Sequence, residues 1–266
     1  ELSTQPTLLV ALVAMSALRD VTRYRQLAIM TTAGVCLLTV AGGIVRLTGS
    51  GLGCDDWPNC NSECFVDVSS GHTAIEQINR LLSGVIGIPT LLLAIAAFRV
   101  RPRVSGLRWP AVGVLVSVLA NGVVGGIAVR TDLHPAFVQS HFLLAMVSIE
   151  FGIIAVHRSS PGSNRSSPAT SWHGRPGQLA AVLTALTAAA LVTGTVVTGT
   201  GPHAGEQDVR RFGFDISNVA RIHSRTVITA LAVAGLLAWT LRNVADSEAG
   251  VRAALSGWIF VGLLQS

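Results

Sequence analysis

Six stretches of about twenty mostly apolar residues constrain the fold of this chain more than any other feature of its sequence. A helix that crosses the hydrocarbon core of a bilayer needs roughly 20 such residues. A seventh stretch begins near Ala253 and is cut off at Ser266, whereas Leu8–Leu18 is too short to span. The sequence therefore predicts an all-α membrane protein with about seven spans present. The six complete stretches lie near residues 27–47, 78–98, 109–129, 136–157, 178–200 and 220–241.

The low content of charged residues also indicates a membrane protein. Only 12% of the 266 residues are charged, against about 25% in an average soluble domain, and the mean hydropathy is +0.57. A soluble protein of this size would need far more polar surface to cover its core. The net charge of +5 is spread between the apolar stretches and forms no basic stripe. We therefore expect the lipid bilayer, and no nucleic acid, as a partner.

The arginines give an orientation, because cytoplasmic loops of membrane proteins carry an excess of basic residues. If every stretch crosses the membrane, twelve of the 19 arginines fall on the side of the N-terminus, and most acids fall on the other side. This predicts a multi-pass protein of the cell membrane with a cytoplasmic N-terminus and outward loops at 49–77 and 201–219. The twelve are Arg19, Arg23, Arg25, Arg99, Arg101, Arg103, Arg108, Arg158, Arg165, Arg175, Arg242 and Arg252.

The two halves of the chain resemble each other. GGIVRLTG at 42–49 aligns with GTVVTGTG at 194–201, and QINR at 77–80 aligns with RIHS at 221–224. A duplicated four-helix transmembrane bundle follows, with eight spans expected, the seventh cut short and the eighth absent. We expect a cytoplasmic segment at 1–26, a first bundle at 27–158, a cytoplasmic linker at 159–177 and a truncated second bundle at 178–266.

Two histidines stand out because a polar, ionisable group in an apolar span is costly and marks a functional site by default. His141 lies in the fourth stretch and His223 at the outer end of the sixth. Neutral imidazole is a common ligand of metals and of haem iron. We interpret both as candidate ligands, the alternative being a hydrogen-bonded core histidine.

The segment HTAIEQINR at 72–80 carries three further candidates. Glu76 precedes Asn79 by three residues, so the two share a helix face. A buried carboxylate there could move protons; a helix N-terminal glutamate favoured by the dipole is the alternative. His72 lies two turns before Asn79 and is a candidate to replace a ligand at that position, despite an offset of roughly 10 Å along the helix.

Three of the four cysteines lie in the first outward loop, which is oxidising in a bacterium. A Cys54–Cys60 disulfide is one interpretation, and Cys64 is an alternative partner for either residue. Cys36 lies inside the first span, where packing is the simpler interpretation.

Several of these segments resemble one family. GGIVRLTGSGLGCDDWPNC at 42–60 resembles the first-loop signature of heme A synthase, and AIEQINRLLSG at 74–84 resembles its second-helix motif. LHPAFVQSHF at 133–142 is similar to its fourth-helix segment, and TGTGPHAG at 198–205 with RIH at 221–223 is similar to the second-half counterpart. The chain looks like an actinobacterial-type member that is truncated at its C-terminal end.

This resemblance implies an oxidoreductase that oxidises a methyl group of heme O to a formyl group, giving heme A for terminal oxidases, with water supplying the oxygen. It implies a heme b bound in the second half and heme O as substrate in the first. His223 then corresponds to a second-half ligand of the haem iron, and His141 to a first-half ligand. Glu76 corresponds to a catalytic acid, and Cys54 with Cys60 to a redox-linked pair.

One residue departs from the family. Many members have histidine where this chain has Asn79, and asparagine is a poor iron ligand, so a first-half haem would keep one protein ligand and an open position. The resemblance implies heme O synthase and a terminal oxidase as partners. Two alternatives stay open: a bis-histidine membrane b-type cytochrome that passes electrons without modifying haem, and a transporter.

Overall fold

Six long helices make up the structure, a computed structural model that describes residues 19–161, 174–202, 205, 206 and 208–242. All six are long and apolar enough to cross a membrane, and no β-strand occurs within these ranges. The predicted class, an all-α membrane bundle, is confirmed. The helices are α1 Val21–Leu47, α2 Gly71–Arg99, α3 Arg108–Arg130, α4 Pro135–Arg158, α5 Arg175–Thr200 and α6 Ile216–Leu241.

Each helix matches one of the six apolar stretches, but most of them extend beyond it. The largest difference is at α2, which begins at Gly71 and not near residue 78. Its first two turns are polar, and hydropathy does not detect them. They are helical because the side chain of Ser70 accepts a hydrogen bond from the Thr73 amide at the N-terminus. The seventh stretch, Leu8–Leu18, His173 and His203 lie outside the described residues.

The described residues form two compact units. In the first, α1 packs against α2 and α4, and α3 packs against α2 and α4, so the four helices close into a ring. Its best-packed cluster lies at the end where α1 begins and includes Tyr24, Leu93 and Leu107, none more than 1% exposed. The Tyr24 hydroxyl donates to the Leu107 carbonyl oxygen at 3.2 Å, which satisfies this buried polar group.

The second unit contains α5 and α6 packed as a pair. Leu183 of α5 faces Ala230, Ala234 and Leu237 of α6 in its apolar cluster. Alanines at this contact let the two backbones approach closely, as is usual between helices in membranes. Asp215 begins α6, where its carboxylate accepts a hydrogen bond from the Asn218 amide at 2.8 Å.

Candidate functional site

The loop between α1 and α2 is held by a disulfide. The predicted bond between Cys54 and Cys60 is present, and both residues are buried, at 1% and 0% exposed. Cys64, the alternative partner, is a free and exposed thiol. It still shapes the loop, because its carbonyl oxygen accepts hydrogen bonds from the amides of Cys60 and Asn61.

Glu76 lies under this loop and is 5% exposed. One carboxylate oxygen accepts a hydrogen bond from the Cys54 amide at 2.7 Å. The other accepts from Arg80 Nε at 3.0 Å and from an Arg80 Nη at 2.6 Å. Both oxygens are therefore engaged, one by the disulfide loop and one by the next turn of α2.

Arg80 extends the same contact into the loop. Its other terminal nitrogen donates to the carbonyl oxygens of Asp56 at 2.7 Å and Asn59 at 3.0 Å. Glu76 and Arg80 together bind the loop segment that the disulfide closes. Sequence reasoning assigned no role to Arg80, although the i, i+4 spacing of Glu and Arg was a signal for the pair.

His141 of α4 points its ring at α3. Its Nδ1 lies 3.0 Å from the backbone carbonyl oxygen of Asn121. A carbonyl oxygen only accepts, so Nδ1 carries the hydrogen, and the neutral ring keeps its lone pair on Nε2. The ring packs against Gly125, where a Cβ would lie 2.8 Å from its Cε1 atom. Glycine at this position makes room for the imidazole.

His223 of α6 is held in the same way by different atoms. Its Nδ1 lies 3.1 Å from the Thr193 hydroxyl of α5. That hydroxyl donates to the Ala189 carbonyl oxygen at 2.8 Å, so it accepts the hydrogen of Nδ1. The ring packs against Gly194, where a Cβ would lie 3.0 Å from Cε1. Nε2 is again the atom with the lone pair.

Two buried amide oxygens near these elements lack partners. Asn79 Oδ1 of α2 and Asn121 Oδ1 of α3 have no hydrogen bond within the described part of the chain. A buried, unsatisfied polar atom in a native structure points to strain, a functional role or a missing ligand. Sequence reasoning singled out Asn79 but missed Asn121, whose signal was an amide side chain inside the apolar stretch at 109–129.

His72 lies in the first turn of α2, where it contacts the loop between α1 and α2 and not Asn79. Its Nδ1 is 2.9 Å from the Ser50 hydroxyl, which lies 2.8 Å from the Thr48 hydroxyl. The three side chains form a hydrogen-bonded row, and its two ends, Thr48 and His72, line a cavity of about 360 Å³ to which Glu206 also contributes. The seven residues to Asn79 correspond to roughly 10 Å along α2.

Comparison with known proteins identifies the family. A family model described as "Cytochrome oxidase assembly protein" (COX15-CtaA) matches residues 25–69 and 64–265. The chain belongs to this family.

Curated relatives of the chain are named "Heme A synthase". One from Geobacillus kaustophilus is 35% identical over 119 residues, which is 44% of this chain and 38% of the relative. One from Bacillus cereus is 33% identical over 125 residues, 47% of this chain and 40% of the relative. The chain thus spans well under half the length of the curated relatives it matches. No solved structure matches it.

Proposed function

We propose that the complete protein is a heme A synthase, which oxidises a methyl group of heme O to a formyl group. The family membership and the names of the relatives support heme A biosynthesis. The observation that carries the proposal is the pair of imidazoles with Nδ1 fixed and Nε2 open. A histidine that ligates a metal normally donates its other ring N–H to an oxygen, which fixes the ring and raises its basicity.

Each half presents one oriented imidazole that would fit a haem iron. In the second half, His223 would hold a heme b through Nε2, with Thr193 setting the tautomer. In the first half, His141 would hold heme O through Nε2, with the Asn121 carbonyl setting the tautomer. The unpartnered amide oxygens of Asn79 and Asn121 would accept hydrogen bonds from polar atoms in that half. When bound, the haem iron supplies one-electron redox chemistry.

Glu76 is the proposed proton acceptor for this oxidation. Conversion of a methyl group and water to a formyl group releases four electrons, which an external electron acceptor must take up, and four protons, which need a nearby base. Glu76 precedes Asn79 by three residues on α2 and so shares a helix face with it. To take a proton, its carboxylate must replace the hydrogen bond from the Cys54 amide or from Arg80 with one from water. Its resting role is to hold the loop.

The test is haem analysis. The complete protein is co-expressed with a source of heme O, and hemes B, O and A are extracted and separated by chromatography. Heme A that appears only with this protein supports the proposal. His141→Ala should abolish heme A, whereas His157→Ala should not, because His157 lies exposed at the far end of the same helix.

The same haem analysis distinguishes the synthase from the second candidate function, a membrane cytochrome. Bound heme B and heme O without heme A would favour a cytochrome that transfers electrons and would refute the synthase. Asn79 favours the cytochrome, since it stands where many family members have a histidine. Heme O synthase and a terminal oxidase are the partners we propose, as supplier of the substrate and user of the product.

A further inference from the structure

A cavity of about 400 Å³ lies in the loop that joins α2 to α3, at the end of the first unit where α1 begins. We call it the α2–α3 cavity. Ala97 and Val100, which belong to the buried cluster around Tyr24, line one part of it. This part is therefore built on closely packed side chains. Arg101, Arg103 and Arg108 line the rest, together with Trp109.

The three arginines keep many donors for a ligand. Arg101 uses one Nη to donate to the Val100 carbonyl oxygen at 3.0 Å, and the Arg108 guanidinium lies 5.1 Å from the centre of the Phe98 ring. Each guanidinium has five N–H donors in a fixed fork that matches phosphate oxygens. All three residues are exposed, so these donors are accessible.

Neighbouring elements add positive charge. The Arg101 amide donates to the Arg19 carbonyl oxygen at 2.8 Å, which places the residue before α1 beside the loop. A Cβ at Gly106 would lie 3.3 Å from Arg158 Nη1, so the end of α4 brings a further guanidinium. Among residues 19–25, 99–109 and 158–161 the one acid is Asp20, and its carboxylate accepts a hydrogen bond from the Thr22 amide.

Trp109 forms an apolar wall of the cavity. It lies in the first turn of a membrane-spanning helix and is 49% exposed, and its ring packs edge-on against Phe151 at 5.8 Å. Tryptophan is enriched at the level of lipid headgroups, where its ring contacts acyl chains and its N–H faces water. A ligand of this cavity would therefore contact arginine on one side and tryptophan on the other.

We propose that the α2–α3 cavity binds the phosphate of an anionic phospholipid headgroup. Basic pockets at the ends of membrane helices bind such headgroups. The positive-inside rule explains arginines on one side of the membrane, but it does not require that three of them line one cavity beside an interfacial tryptophan. Phosphatidylglycerol, with one negative charge, is the simplest probe.

The test uses the full chain in phosphatidylcholine nanodiscs that contain increasing fractions of brominated phosphatidylglycerol or brominated phosphatidylcholine. Bromine quenches nearby tryptophan, and subtracting the signal of the Trp109→Phe variant isolates Trp109. We expect half-maximal quenching at a mole fraction of phosphatidylglycerol at least about 25-fold lower than of phosphatidylcholine, because each arginine near the surface contributes about fivefold. The double variant Arg101→Gln/Arg103→Gln should lose this preference, by about fivefold for each arginine.

Arg175→Gln is the matched control. Arg175 is exposed at the first turn of α5 and is predicted to lie on the same side of the membrane, but it does not line the cavity. It should shift the midpoint less than twofold. Equal quenching by the two lipids, or an equal shift in Arg175→Gln, would overturn the proposal. If the double variant does not insert, Arg103→Gln alone should shift the midpoint about fivefold, and no shift would refute it.

A soluble ligand is tested in the same nanodiscs. Inorganic phosphate and glycerol phosphate are added at millimolar concentration to protein that is half-saturated with brominated phosphatidylglycerol. Unchanged quenching supports a lipid ligand. Recovery of the Trp109 signal by inorganic phosphate would overturn the assignment to lipid. Because neither haem nor activity is measured, the outcome is independent of the proposed function.

Discussion

Arg80→Gln should release the loop between α1 and α2 from α2, and the structure gives the magnitude of the loss. Arg80 donates to Glu76 at 2.6 and 3.0 Å and to three loop carbonyl oxygens. The side chains of the pair are only 16% and 6% exposed, so solvent screens them weakly. Removing one partner of a buried ion pair costs about 3–5 kcal/mol, because the other charge stays buried without compensation.

The Cys54 amide reports on this change directly, since its hydrogen bond goes to Glu76. Hydrogen exchange of a native amide follows the free energy of the opening that exposes it. A loss of about 3 kcal/mol should accelerate exchange at Cys54 by roughly 100-fold. The measurement is hydrogen–deuterium exchange with mass spectrometry on peptides that contain residues 52–58, under conditions that leave the disulfide intact.

Arg130→Gln is the matched control on the same loop. Arg130 donates to the Trp57 carbonyl oxygen and lies 3.6 Å from the Asp56 carboxylate, but these side chains are 59% and 42% exposed. Exposed ion pairs contribute about 0–1 kcal/mol, so exchange at Cys54 should change less than about fivefold. Equal acceleration in both variants, or none in Arg80→Gln, would refute the reasoning that burial of the Glu76–Arg80 pair holds the loop.

Three further predictions follow from single contacts. Thr193→Val removes the acceptor for the α6 histidine. If the proposed heme b binds there, spectral titration should show its affinity reduced roughly 10- to 100-fold. Thr187→Val, whose hydroxyl bonds its own helix, should leave the affinity unchanged. Gly125→Ala should displace the α4 histidine and lower heme A yield, whereas Gly122→Ala meets no atom within 4 Å and should leave it unchanged. The Ser217 hydroxyl and the Asn218 amide hold the pKa of Asp215 below its usual value, so its capping of α6 should be complete above about pH 4 and lost as pH falls through the lowered pKa. Hydrogen exchange of the amides at the start of α6 measures this loss. Asp215→Asn should abolish its pH dependence.

The spans could be predicted because one property, the length of an apolar stretch, decides them. The start of α2 could not be predicted, because Glu76 and Gln77 are polar and become buried only under the loop. The disulfide was one of several pairings that the loop allowed. Which cysteine pairs with Cys54 depends on the path of residues 54–64, and local spacing does not contain that path.

The histidine environments show where sequence reasoning stops. His141 and His223 were found because imidazoles are rare in apolar spans. Their orienting partners were missed: one is the backbone carbonyl of Asn121, twenty residues away, and the other is the hydroxyl of Thr193, thirty away. A carbonyl oxygen has no side-chain signature, and threonine in a membrane helix commonly bonds its own helix. Only helix packing determines these contacts.

The two histidines lie on different helices of the predicted duplication, the fourth of one half and the second of the other, yet they share one arrangement. In each, the neighbouring helix supplies an oxygen for Nδ1 and a glycine against Cε1. Orientation therefore comes from a helix–helix contact and not from the motif that carries the histidine. Asn79, at the second-helix position of the first half, has a buried amide oxygen without a partner. Asn79→His should then add a ligand only if a neighbouring oxygen orients the new ring. A haem spectrum that changes from one-histidine to bis-histidine ligation in this variant would show that such an oxygen is present, and an unchanged spectrum would show that the open position is built into this half.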